Sequence, residues 1–198
     1  MSQKFRHASI GRVDRSQTIT FTFDGVAYDA FEGDTLATGL LANGVHLTGR
    51  SFKYHRPRGI VAAGVEEPNA LVTLHEGAYL DPNNRATVVE LFDGLHSVSQ
   101  NRSPSLKFDI GAVNNTAIAR VFSAGFYYKS FMELGNWGWN HVFEPIIRRA
   151  AGLGKAPTLA DPDRYEKLYC FCDVLVVGSG PSGLLSAVTA ARSCARVI

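Results

Sequence analysis

Val174-Leu175-Val176-Val177-Gly178-Ser179-Gly180-Pro181-Ser182-Gly183 runs from a β-branched apolar stretch into three spaced glycines, and Leu184 to Ala191 follows as a helix-forming segment. Strand, GxGxxG, helix is the order of a dinucleotide-binding turn. The residue types have physical reasons. Gly178 permits the tight turn out of the strand, where a side chain would be strained. Gly180 lets a pyrophosphate approach the backbone, and Gly183, with Ala187 and Ala190, lets the helix lie close on the sheet. Pro181 suits a first helical turn, whose N–H groups have no partner within the helix. Those free N–H groups and the positive end of the helix dipole favour phosphate. Gly178, Ser179, Gly180, Pro181, Ser182 and Gly183 are therefore the candidate cofactor-binding residues.

Arg196-Val197-Ile198 reads as the start of a second strand. The acidic residue that grips a ribose hydroxyl is expected roughly 20 residues past the glycines, beyond Ile198. The turn alone therefore does not separate NAD, NADP and FAD. A Rossmann unit with one complete strand cannot cover its own faces, so the chain reads as a fragment of a longer protein.

With 198 residues, the chain has room for one domain and a piece of another. A hydrophobic share of 45% and a charged share of 19% are ordinary for a globular protein. A formal charge of +2 points to no polyanionic partner. Met1 to His7 is polar and basic, unlike a secretory signal, and no apolar run reaches the length of a membrane span. Cys170, Cys172 and Cys194 form neither a disulfide framework nor a metal-ligand pattern, so no metal site is assigned and a reducing cytoplasm is the expected location.

Further upstream, Thr18, Thr20 and Thr22 alternate with Ile19, Phe21 and Phe23, the period of a half-buried strand. Asp24-Gly25 is a favoured hairpin turn, and Val26-Ala27-Tyr28 begins the return. Asp34 is expected to cap a helix over 35–43, with Leu36, Leu40 and Leu41 as its apolar stripe and Gly44 as its stop. Ala70 to Leu74 and Thr87 to Leu91 are strand candidates, and Asp93-Gly94 would lead from the latter into Leu95 to Val98. A hairpin, a helix and further strands describe an α+β sheet with a helix on one face, the β-grasp scaffold of plant-type ferredoxins.

Residues 122–143 contain eight aromatics, from Phe122 to Phe143, including both tryptophans. Burial against another domain or subunit is the plain expectation for them. Glu144 to Ala151 reads as helical, Gly152-Leu153-Gly154 ends that helix, and Lys155 to Arg164 reads as a linker. Between Thr35 and Val65 there is no acidic residue, while Arg50, Lys53, His55, Arg56 and Arg58 cluster. A solvated loop or intersubunit contact is the first reading of that cluster, and an anion contact the second.

Against this background the chain resembles the α subunits of heterotetrameric sarcosine oxidases. The resemblance is carried by Glu32 to Ala37, Arg50 to Gly59, Glu66 to Leu71, Ala124 to Lys129 and Glu144 to Gly154. It implies an α+β, β-grasp domain at 15–110, ferredoxin-like but without cluster cysteines, then an aromatic-rich connecting segment at 111–168. The start of an α/β Rossmann-type domain would follow at 169–198. It also implies a cytoplasmic oxidoreductase that demethylates sarcosine with O2 and tetrahydrofolate, assembled with β, γ and δ subunits. NAD, or alternatively FAD, is expected at the glycine turn, with FMN and FAD elsewhere in the complex. The loop Ser51 to Val65 holds no cysteine, so no iron–sulfur cluster is expected there. No catalytic residue, nucleic acid or membrane is assigned. The alternatives are the FAD-binding large subunit of a related opine, glycine or amine dehydrogenase, and a structural docking module.

Overall fold

The computed structural model describes residues 3–116 and 135–198 and divides into two compact units, Met1–Asp161 and Pro162–Ile198. In the first, β1 (Asp14–Phe23) and β2 (Val26–Glu32) form an antiparallel hairpin. Asp24 and Gly25 both have positive φ, as a tight hairpin turn requires. Helix α1 (Leu36–Ala42) follows. Next come the two-residue strands β3 (Gly49–Arg50) and β4 (Pro57–Arg58), which pair with each other, then β5 (Leu71–Leu74), β6 (Asp81–Arg85) and β7 (His96–Ser99).

The main sheet has the order β2-β1-β7-β5-β6. It is mixed: β1 and β7 run parallel and the other neighbours run antiparallel. The parallel pair is central, where both faces can be covered. Phe21 and Phe23 from β1, Val72 and Leu74 from β5, and Leu36 and Leu40 from α1 form one buried cluster with Ala86, Val89, Leu91 and Leu95. Burying a phenylalanine or leucine completely contributes about 1.5–3 kcal/mol, so this cluster is what holds helix to sheet.

Three details differ from the sequence expectation. Thr35, not Asp34, caps α1: its hydroxyl accepts from Thr38 N, and Thr38 Oγ1 accepts from Thr35 N at 2.9 Å. Asp34 turns inward instead, accepting from Phe31 N at 3.0 Å and from the Arg6 guanidinium at 2.5 Å. Leu41 of the expected stripe is half-buried, and Ala37 packs in the core in its place. Thr87 to Leu91 is not a strand. It crosses the helix N-terminus, where Leu36 N donates to Val89 O and Leu91 N donates to Asp34 O. The strand in that region is β6, a polar edge that tolerates Pro82 because one side of it needs no ladder bonds.

A short α-helical turn (Gly135–Gly138) passes through a π-helical turn (Trp139–Phe143) into the helix Glu144–Ala150. Gly152 closes that helix with φ +66°, as Gly152-Leu153-Gly154 was expected to. Its carbonyl accepts from Gln100 Nε2, and Gly154 N donates to Asn83 Oδ1, tying the segment to β6 and to the residue that follows β7. Phe122, Phe126, Tyr127, Tyr128 and Phe131, and the motif Ala124 to Lys129, lie outside the described residues. Among the described residues, no helix is long and apolar enough to cross a membrane.

Candidate functional site

In the second unit, Val174 and Val197 form a parallel bridge, and Val176 N donates to Ile198 O at 2.8 Å. The expected strand of 174–177 is reduced to that bridge, and it is open rather than buried: Val177 is 89% exposed. Too little chain surrounds it within Pro162–Ile198 to cover either face. Cys170, Cys172 and Cys194 are exposed as well.

The helix after the turn runs Pro181–Ala191, with Gly180 at its N-cap and Pro181 in its first turn. Gly178 has φ +112°, a conformation in which an L side chain is strained. A Cβ on Gly183 would lie 2.1 Å from the Gly178 carbonyl oxygen, so the third glycine lets the helix sit against the bend. A Cβ on Gly180 would meet nothing within 4 Å. The protein's own packing therefore does not demand glycine at 180. Leu184 N donates to Gly180 O as the first bond of the helix, which leaves the earlier amides without an intrahelical acceptor. No side chain caps this end. The six candidate residues Gly178, Ser179, Gly180, Pro181, Ser182 and Gly183 thus form one bend at a helix start.

In the first unit, the basic cluster splits into different roles. Arg50 is half-buried, its guanidinium on the carbonyls of Leu106 and His55. Arg56 and Lys53 sit over the Tyr54 ring, with the Arg56 guanidinium carbon 4.8 Å from its centroid. His55 adopts positive φ and is buried, with Nδ1 2.7 Å from Asp109 Oδ2. Asp109 also accepts from the amides of Gly111 and Ser103. Sequence reading did not single out Asp109 or Glu67. The carboxylate of Glu67 is 1% exposed and accepts from Val61, Ala62 and Asn69 amides at 2.7–2.8 Å. Burial pushes its pKa up, but the amide bonds from Ala62, Asn69, Val61 and Ala70 outweigh this and hold it below the usual value. No cluster of metal-ligating side chains occurs among the described residues.

With this geometry in view, residues 16–102 match a family described as a 2Fe-2S iron–sulfur cluster binding domain. The N-terminal sheet is thus of a ferredoxin-type domain. Of the cofactor expectation, which had NAD or FAD at the glycines, flavins elsewhere in a complex and no iron–sulfur cluster, the match overturns the last part. Such clusters are held by four thiolates, or by a histidine–cysteine mixture. Residues 16–102 contain no cysteine, and the chain's three cysteines lie at 170, 172 and 194. The residues present in the matched domain therefore do not fit a thiolate-held cluster.

Over nearly its whole length the chain is similar to sarcosine oxidase α subunits. It is 57% identical over 98% of its length to the one from Rhizobium meliloti (strain 1021), and 35% identical over 94% to the one from Corynebacterium sp. (strain U-96). It spans 20% and 14% of those proteins, respectively. L-proline dehydrogenase from P. horikoshii is a structural neighbour at 24% identity and a TM-score of 0.36, covering 44% of this chain and 16% of that one.

Proposed function

We propose that this chain is part of the α subunit of a sarcosine oxidase, an oxidoreductase acting on the CH–NH group of its donor. The observation that carries this reading is the 57% identity sustained over 98% of the chain. The whole enzyme would oxidise the N-methyl group of sarcosine with O2, release glycine and hydrogen peroxide, and pass the one-carbon unit to tetrahydrofolate. The name α subunit supports partner chains, for which β, γ and δ subunits are the proposed set, and a cytoplasmic setting is proposed with them.

Within that enzyme the chain's own residues supply two things. The bend Gly178 to Gly183 would hold the diphosphate of a dinucleotide on its amides, supported by the helix start at Pro181 and the open space at Gly180. The sheet domain would serve assembly. The proposed organisation is a β-grasp domain at 15–110, a connecting segment at 111–168 and the start of a Rossmann-type domain at 169–198.

The full-length protein, purified with its partners, tests the reading. Peroxide should form from sarcosine, and added tetrahydrofolate should take up the one-carbon unit. Absence of peroxide from sarcosine, with turnover of an opine or another amine instead, would overturn it.

A further inference from the structure

Beside β7 lies a hollow of about 460 Å³, lined in part by His55, Ser99, Asn101, Arg102, Ser103 and Arg149. None of its described lining residues is an aspartate or glutamate. Charges near it do not cancel. Around it the guanidiniums of Arg50, Arg102 and Arg149 outnumber the carboxylates of Asp24 and Asp109, with Arg102 paired to Asp24 at 3.0 Å and Arg50 3.9 Å from Asp109. Arg149 has no ionic partner among the described residues, and a positive excess remains before His55 is counted.

His55 is built into this wall with unusual constraint. Asp109, its side chain fully buried, lies 2.7 Å from Nδ1 through Oδ2, and the backbone holds the histidine at φ +50°. Gly111 lies against the ring, where a Cβ would come within 2.4 Å of Nδ1. A carboxylate on one ring nitrogen fixes the tautomer and turns the other nitrogen outward. Nε2 has no hydrogen-bond partner among the described residues. A ring constrained in backbone and packing, lining a hollow with an excess of cations, is arranged for a ligand rather than for the core.

We infer that this hollow binds a small oxyanion, phosphate or carboxylate, between the guanidinium of Arg149 and Nε2–H of His55. Protonated histidine donates from both nitrogens, so Asp109 and the ligand can be served together. Guanidinium adds the charge-assisted, forked donor that carboxylates and phosphates favour. The site lies in the first unit and does not depend on the glycine bend of the second.

The test is calorimetric titration of the full-length protein with inorganic phosphate and, separately, with acetate. Saturable binding with Kd of about 1 mM or tighter is expected for at least one of them, and the tighter one names the ligand chemistry. R149A should weaken it about tenfold or more, whereas R148A, on the same helix but outside the hollow's lining, should leave it unchanged. H55Q should also weaken it. Should H55Q not fold, R149A decides, since that side chain is exposed. Absence of saturable binding by either anion, or equal affinity in R149A, would overturn the inference. Loss in G180V with retention in R149A would likewise overturn it, by moving the anion to the bend.

Discussion

Gly39 of α1 faces Phe21 of β1 so closely that a Cβ at position 39 would lie 3.1 Å from Phe21 Cε1 and 2.7 Å from Leu91 Cδ1. The helix is seated on the sheet by what this residue lacks. Glycine inside a helix costs about 1 kcal/mol against alanine, so G39A would stabilise an isolated helix. Here the added methyl must displace the buried Phe21 ring and Leu91 side chain, at about 1–3 kcal/mol. Overpacking wins. G39A should lower stability by about 1 kcal/mol, measured as a lower denaturant midpoint with an unchanged slope. An increase in stability would show that Phe21 and Leu91 yield freely.

The N-terminal segment is strapped to the same helix. Phe5 N donates to Ala42 O, the Phe5 ring meets His46 edge-on at 5.0 Å, and Arg6 pairs with Asp34 at 2.5 Å. Asp34 is 1% exposed, so its charge depends on the partners it has. Thr38 Oγ1 and Phe31 N remain bonded to it without Arg6. R6A should therefore cost about 3 kcal/mol, the lower part of the range for breaking a buried pair. A double-mutant cycle with D34N should show coupling between the two positions, and additive losses would refute the pairing.

Glu67 makes the loop between β4 and β5 sensitive to acid. Its folded pKa is depressed from the model-compound value of 4.5, because the amides that bind the carboxylate outweigh the effect of burial. A depressed folded pKa gives stability that is complete above the unfolded value and is lost as pH falls through the folded one. Unfolding free energy should accordingly fall as pH drops below about 4.5. In E67Q that acid-linked component should be missing, while stability at neutral pH is lower than in the parent. Parallel pH profiles for the two proteins would contradict the linkage.

Local chemistry made part of this fold legible. Asp24-Gly25 and Gly44 mark backbone that must turn with positive φ, and both glycines have it. Alternation from Thr18 to Phe23 marks a strand with one buried face, and Phe21 and Phe23 are in the core. Tertiary contacts decided the rest. Asp34 and Thr35 are both good capping residues, and the choice fell to Thr35 because Arg6, 28 residues earlier in the chain, claims Asp34. β6 is Asp-Pro-Asn-Asn-Arg, which no propensity would select; its strand conformation comes from pairing with β5. At the candidate sites, the glycine bend is contiguous and readable. The His55–Asp109 pair joins residues 54 apart and leaves no pattern in the sequence.

Gly180 and Gly183 separate the two jobs a glycine bend can do. A Cβ at 183 collides with the Gly178 carbonyl at 2.1 Å, a backbone atom that cannot swing aside, while a Cβ at 180 points into open space. G183V should therefore disturb the bend itself, seen as altered circular dichroism or faster proteolysis around 178–191. G180V should leave those signals intact, because Gly180 at φ −67° is in backbone that any residue adopts. If the bend holds a diphosphate, G180V should instead fill the space the phosphates need, reducing dinucleotide retained by the purified full-length protein about tenfold or more, a loss of about 1.4 kcal/mol in binding. Equal dinucleotide content in G180V and the parent would remove the ligand role and leave glycine there without a structural reason.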